Sequence, residues 1–319
     1  MRKMRQIRLL IGSTSAIAAL ALAASVPLSA YGQAPQPSTT VKDDVLVART
    51  ADAKADTATP KDMTAPNRTG ESPKAPEPVV MVPASWNGFY AGIYIGVGFG
   101  HARAQTSTVF SPTGYFASSS VPAIAAVGNQ EITPTGFDGG FSLGVDHEVS
   151  SNIVIGAEGD FGPLRFNETV VASGTYPCCA PTGFTVSQRI RTNWLLMLRG
   201  RGGVKVASNG LIYGIGGLAT TRIIYTEQFT DTFAHAFQNG GVRASKSGWT
   251  VGGGAEWRFP GTHWSIKGEY AYASFGRVSG TSSNLQADGT PRVAFPSNVF
   301  SFTTKLHSHF VRGGVNYRF

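Results

Sequence analysis

Twelve charged residues occupy alternating positions in otherwise apolar or glycine-rich segments. Six are acids: Asp146, Glu148, Glu158, Asp160, Glu256 and Glu269. Six are bases: Arg199, Arg201, Arg258, Lys267, Arg312 and Arg318. The i, i+2 spacing of Glu158–Asp160, Arg199–Arg201, Glu256–Arg258 and Lys267–Glu269 puts each pair on one face of a strand. Balanced charges on such faces can do one of two things. They can pair into a mutual ion network, or they can line a water-filled path. Buried charges left unpaired are too costly for a third arrangement.

Two other groups could do chemistry. His307 and His309 share one face of a strand and could contribute to haemin or metal capture, or stand as two rim histidines. Ser308 between them points to the other face, so it cannot reach either imidazole as a nucleophile must. Cys178 and Cys179 are the only cysteines. Their Cα atoms must lie about 3.8 Å apart, so a bridge between them would close a strained ring. The pair reads as two loop cysteines without a ligand role.

The elements that position these residues begin with eight amphipathic strands. The first runs over about 86–101. Phe89, Ala91, Ile93, Ile95, Val97 and Phe99 alternate with Tyr90, Gly92, Tyr94, Gly96, Gly98 and Gly100. Further strands follow over about 136–149, 153–162, 188–206, 211–225, 247–259, 264–275 and 305–319. In the last, Val311, Val315, Tyr317 and Phe319 lie opposite Arg312, Asn316 and Arg318. One face suits hydrocarbon and the other suits water or ion pairs. Connections alternate in length. Short turns fall near 150, 208 and 261, where Asn209-Gly210 is a hairpin signal. Long polar connections cover 103–134, 164–186, 227–245 and 278–299. A soluble sandwich has no reason for that alternation, or for aromatic edges at Trp86, Trp249, Trp257, Trp264 and Phe319.

Two segments precede the strands. Residues 1–30 read as a secretory signal peptide: Arg2, Lys3, Arg5 and Arg8 precede an Ala-rich apolar run, with cleavage expected near 30–33. Its loss lowers the formal net charge from +8 to +4. No Lys/Arg cluster that would argue for nucleic acid remains. Residues 31–84 are rich in Pro, Ala, Thr and Lys and read as a disordered periplasmic linker, a spacer that could touch the cell wall. Residues 85–319 then form the barrel.

Four stretches carry a family resemblance: Trp86-Asn87-Gly88-Phe89-Tyr90-Ala91-Gly92, Gly248 to Trp257, Trp264 to Tyr270, and Gly313 to Phe319. Together they resemble the small outer-membrane β-barrel proteins of alphaproteobacteria, the porin family or outer-membrane immunogenic proteins, with an OmpA-like barrel. The resemblance implies an all-β, eight-stranded antiparallel up-and-down barrel in the outer membrane of a Gram-negative bacterium. It also implies a surface antigen, with haemin binding in some members. The long N-terminal spacer and long first loop depart from the pattern. Outer-membrane lipid and the barrel-assembly machinery are the expected partners, the latter through Val315, Tyr317 and Phe319. The expected state is a monomer without a cofactor. An eight-stranded barrel is only wide enough for side chains to fill it. The expectation is therefore a non-enzymatic envelope protein plugged by its ion network. A narrow solute channel and a haemin- or host-ligand-binding surface are the alternatives.

Overall fold

The computed structural model describes residues 85–319. The expected signal peptide and linker lie outside them. Eight long strands close into a ring. We number them β1 (Gly88–Thr108), β2 (Thr135–Glu148), β3 (Ile153–Pro163), β4 (Gly183–Val206), β5 (Gly210–Asp231), β6 (Phe237–Arg258), β7 (Trp264–Phe275) and β8 (Phe300–Arg318). Each pairs antiparallel with its neighbour in sequence. β8 then pairs with β1, from Tyr90↔Arg318 to Thr108↔Phe300. Closure matters energetically, because in hydrocarbon an open edge would leave a row of backbone N–H and C=O groups without partners.

The fold is inside-out relative to a water-soluble protein. Phe89, Ile93, Ile95 and Phe99 of β1 are exposed, whereas Tyr90 and Tyr94 between them are buried. The same parity holds for Phe137, Phe141, Leu143 and Val145 on β2, and for Val311 and Val315 on β8 with Phe319 just beyond it. Trp249, Trp257 and Trp264 face outward as expected. Trp86 does not. It is fully buried, because it shares the even, lumen-facing parity of Tyr90 and Tyr94 and packs against Arg318 at the mouth of the tube.

The short turns fall where expected, with one change of register. Val206 pairs with Gly210, so Ala207, Ser208 and Asn209 form a three-residue loop and Gly210 is already strand. The left-handed position belongs to Ala207 (φ 54°), not to the Asn-Gly pair. In the 260–263 turn, Gly261 takes φ 70°, where glycine is favoured.

The opposite end is more folded than four long loops. β5 and β6 continue as a hairpin past the exposed belt residues Leu218 and Trp249, with register running to Thr230↔Phe237. Asn167–Thr175 pairs with β4, Asn129–Ile132 with β1, and Val278–Ser282 with β8. A short helix, Ser120–Val127, lies in the connection between β1 and β2. Phe116, Ile124, Tyr176, Phe184, Phe229 and Phe300 join in a second apolar cluster there. Polar composition concealed this order, because above a membrane neither face of a strand needs to be hydrocarbon-compatible.

Glu227 is buried inside this extension. Gln238 Nε2 donates to its Oε2 at 3.3 Å, and Oε1 has no partner. Burial pushes its carboxyl from 4.5 up to about 7. The folded state therefore holds the proton more tightly than the unfolded one. Its stabilising contribution is full below 4.5 and is lost as pH rises through about 7. Hydrogen exchange in the β5–β6 hairpin should show local stability falling by roughly 3 kcal/mol over that window. Glu227→Gln should flatten the profile; an unchanged slope would assign the pH dependence elsewhere.

Candidate functional site

The lumen is built from the inward parity of every strand. At the short-turn end, Arg318 lies over the Trp86 ring at 4.6 Å and donates from Nη1 to the Trp86 carbonyl at 3.1 Å. Its Nη2 reaches Asp146 Oδ2 at 2.6 Å and Glu256 Oε1 at 3.3 Å. Glu256 Oε1 also accepts from Ser265 Oγ at 2.6 Å and Asn316 Nδ2 at 3.1 Å. Its other oxygen accepts from Arg201 Nη2 at 2.8 Å.

The next layer is densest. Arg201 Nη1 donates to Tyr90 OH at 2.8 Å, and Tyr90 OH donates to Glu158 Oε2 at 2.6 Å. Lys267 Nζ meets the same oxygen at 2.8 Å. Arg199 is held on three sides, by Glu158, Asp160 and Glu269, each at 2.5 Å. Tyr213 OH of β5 donates to Glu269 Oε2 at 3.3 Å. Above it, Arg312 Nε meets Asp138 Oδ2 at 2.6 Å and Nη1 meets Asp160 Oδ2 at 3.3 Å. The Tyr94 ring lies 4.6 Å from the Arg312 guanidinium. The network thus runs unbroken from Asp138 to Arg318. All eight strands contribute, β1 and β5 through tyrosines. Glycine makes the close packing possible: a Cβ on Gly144 would sit 2.2 Å from the Tyr90 ring.

Of the expected lumen residues, Glu158, Asp160, Arg199, Arg201, Glu256, Lys267, Glu269, Arg312 and Arg318 lie in this network, with Asp146. Arg258 does not. It is half-buried at the mouth, donates to the Ser85 carbonyl and lies 5.8 Å from the Trp86 ring. The last inward position of β6 leaves it beyond reach of the carboxylates inside. Glu148 is likewise at the mouth, paired with Lys205 at 2.7 Å. Asp138 is a network member that the residue-by-residue reading missed. The space among Tyr94, Asp160, Arg199, Lys267, Glu269 and Arg312 is too small for a water molecule.

Above the ions the lumen turns apolar. Leu164, Phe166, Leu195, Met197, Leu306 and Phe310 are buried together. Phe166 enters from the segment after β3 and is tied to Thr192 by two hydrogen bonds of 3.1 Å. The ionic layer and the apolar layer are thus stacked along the inside of the wall.

The other candidates lie elsewhere. His307 and His309 open outward, hydrogen-bonded through Nδ1 to Tyr272 OH at 2.8 Å and Tyr270 OH at 2.6 Å. His101 stands opposite His307 on β1. Ser308 is buried on the lumen side, so the wall separates it from both imidazoles. Cys178 and Cys179 are joined to each other as a disulfide in an outer-end turn. The turn that holds them is closed by hydrogen bonds of 3.0 Å between the Tyr176 N–H and Thr182 carbonyl and between the Thr182 N–H and Cys179 carbonyl. Val315 and Phe319 are exposed and Tyr317 half-buried on the outer face.

The family described as outer membrane protein beta-barrel domain matches residues 78–319. The chain belongs to that family. It is 26% identical over 249 residues to the 31 kDa outer-membrane immunogenic protein of Brucella melitensis, covering 77% of this chain and 89% of the relative. The Brucella suis protein of the same name matches equally. Membership in the outer membrane beta-barrel family, with these relatives, places the chain in the outer membrane of a Gram-negative alphaproteobacterium. Among solved structures it is similar to the outer membrane protease OmpT of Escherichia coli, with a TM-score of 0.36 and 11% identity, covering 74% of this chain and 98% of that one. It is also similar to Neisserial surface protein A, with a TM-score of 0.27 and 10% identity, covering 71% and 97%.

Proposed function

We propose that this barrel is a closed, non-enzymatic component of the outer membrane that reinforces the envelope and presents its folded outer end to the surroundings. The observation that carries this reading is the stacked lumen: a continuous ion network below and a packed apolar layer above. A general diffusion porin needs more strands and an aqueous channel. A narrow solute channel would need a route through the layer of Arg199 and Arg312, and the tight packing among those side chains supports the closed reading. In this reading Val315, Tyr317 and Phe319 serve the assembly machinery from the outward face of β8. A haemin or host-ligand role would rest on His307 and His309, with Tyr270 and Tyr272 beside them.

Planar-bilayer recording on the purified chain tests the closed-barrel reading. The expected result is no steady conductance above the bare bilayer. Large, reproducible channels at neutral pH would overturn it.

A further inference from the structure

The outer wall of the barrel carries cations at one end only. Among the described residues, no Lys or Arg faces outward at the short-turn end, where Lys205 and Arg258 turn inward. At the other end six of the exposed cations form two clusters. Arg191 pairs with Ile224, and Ile224 pairs with Arg243, so these two arginines share a row across β4, β5 and β6. Arg222 lies one outward position below them on β5. On the other side, Arg103 of β1 pairs directly with Lys305 of β8. Arg277 precedes Val278, which pairs with Thr304, and so stands at the same level. All six are exposed. Arg103 reaches Glu131 at 3.2 Å; the other five have no ion pair among the described residues.

Toward the membrane each cluster gives way to exposed apolar residues: Leu218 and Trp249 under the first and, under the second, Phe99 and Val311 beyond the row of His101, His307 and His309. Above the first is a groove of about 610 Å³ on the same strands, lined by Thr169, Ser187, Thr226, Gln228 and Asn239 together with Arg189 and Glu227. Above the second is a groove of about 370 Å³ lined by Gln105, Ser107, Ser279, Thr281, Ser301 and Thr303. Moving outward along each wall, the surface offers hydrocarbon, then positive charge, then hydroxyls and amides.

We propose that the two clusters, Arg191–Arg222–Arg243 and Arg103–Arg277–Lys305, are binding sites for phosphorylated glycolipid of the outer leaflet. Acyl chains lie on the apolar belt, the phosphates meet the cations, and the sugars enter the hydroxyl-lined grooves. Guanidinium forks suit phosphate oxygens bidentately. An anionic phospholipid would satisfy the cations but leave the grooves empty. The proposal is independent of whether the lumen conducts.

The test titrates the folded full-length chain in detergent with a rough lipopolysaccharide, its dephosphorylated form, and phosphatidylglycerol, with native mass spectrometry counting bound lipid. Wild-type protein should bind two lipopolysaccharide molecules. R191Q/R222Q/R243Q and R103Q/R277Q/K305Q should each lose one of them, with affinity at the altered site weakened about 100-fold, since each cation near an anionic surface is worth about fivefold. Unchanged β-sheet circular dichroism and heat-modified gel mobility would show that the variants fold. Wild-type binding by both triple variants, or equal binding of the dephosphorylated lipid, would overturn the proposal. So would phosphatidylglycerol binding as tightly as lipopolysaccharide.

Discussion

Arg199→Met should lower the unfolding free energy of the barrel by roughly 3–5 kcal/mol. Methionine keeps much of the length and removes the charge. Glu158, Asp160 and Glu269, each 2.5 Å from the guanidinium, would then face one another with Lys267, Arg312 and the more distant Arg201 left to compensate. The size follows from the asymmetry of buried ion pairs. The intact pair gains little over an apolar replacement, but removing one partner leaves the other charged and dry. Urea unfolding in lipid vesicles, followed by tryptophan fluorescence and gel mobility, would read the change. Arg258→Met is the internal comparison. Arg258 has the same inward parity but meets only the Ser85 carbonyl and the Trp86 ring, so its loss should cost about 1 kcal/mol. Equal losses at the two positions would mean that the network is not the organising interaction of the lumen.

The second large effect lies on the other face. Phe141 is 69% exposed, and on a water-facing surface its replacement would change stability by no more than about 0.5 kcal/mol. On a barrel wall inside a bilayer, Phe141→Arg should cost about 2–4 kcal/mol. Moving the same substitution outward along the wall should diminish the penalty steadily, as in Phe99→Arg near the edge of the belt. A flat profile in vesicles would contradict the assignment of this face to hydrocarbon.

Strand faces were legible because a lipid-facing wall enforces a period of two. Phe89 to Phe99 and Val311 to Phe319 announce their parity without reference to any other part of the chain. Once parity is known, the charged residues of the lumen follow, though not their partners. The choice between Asp146 and Glu256 for Arg318, or its contact with both, depends on registers between strands far apart in sequence. Asp138 was within reach, since it shares the parity of Ser142 and Asp146. Gly139 and Gly140 beside it carry no side chain to mark the face. Trp86 was grouped with the outward aromatic edge, although it shares the even, inward parity of Tyr90 and Tyr94. The outer end was illegible for a different reason. From Arg222 to Asp231, water meets the outside and Tyr225, Glu227 and Phe229 fill the inside, so the contrast between faces is weak. The contacts of Phe116 with Phe229 and Phe300 join segments more than 100 residues apart, which no local pattern encodes.

The outer end has a consequence for what another molecule sees there. Ser173 lies opposite Thr185, and Thr185 lies opposite Thr230. A footprint a few residues wide therefore spans three separate stretches of chain. Epitopes on this surface are discontinuous. Antibodies selected on the folded barrel should lose it on boiling, and peptides cut from single segments should be poor substitutes for it as immunogens.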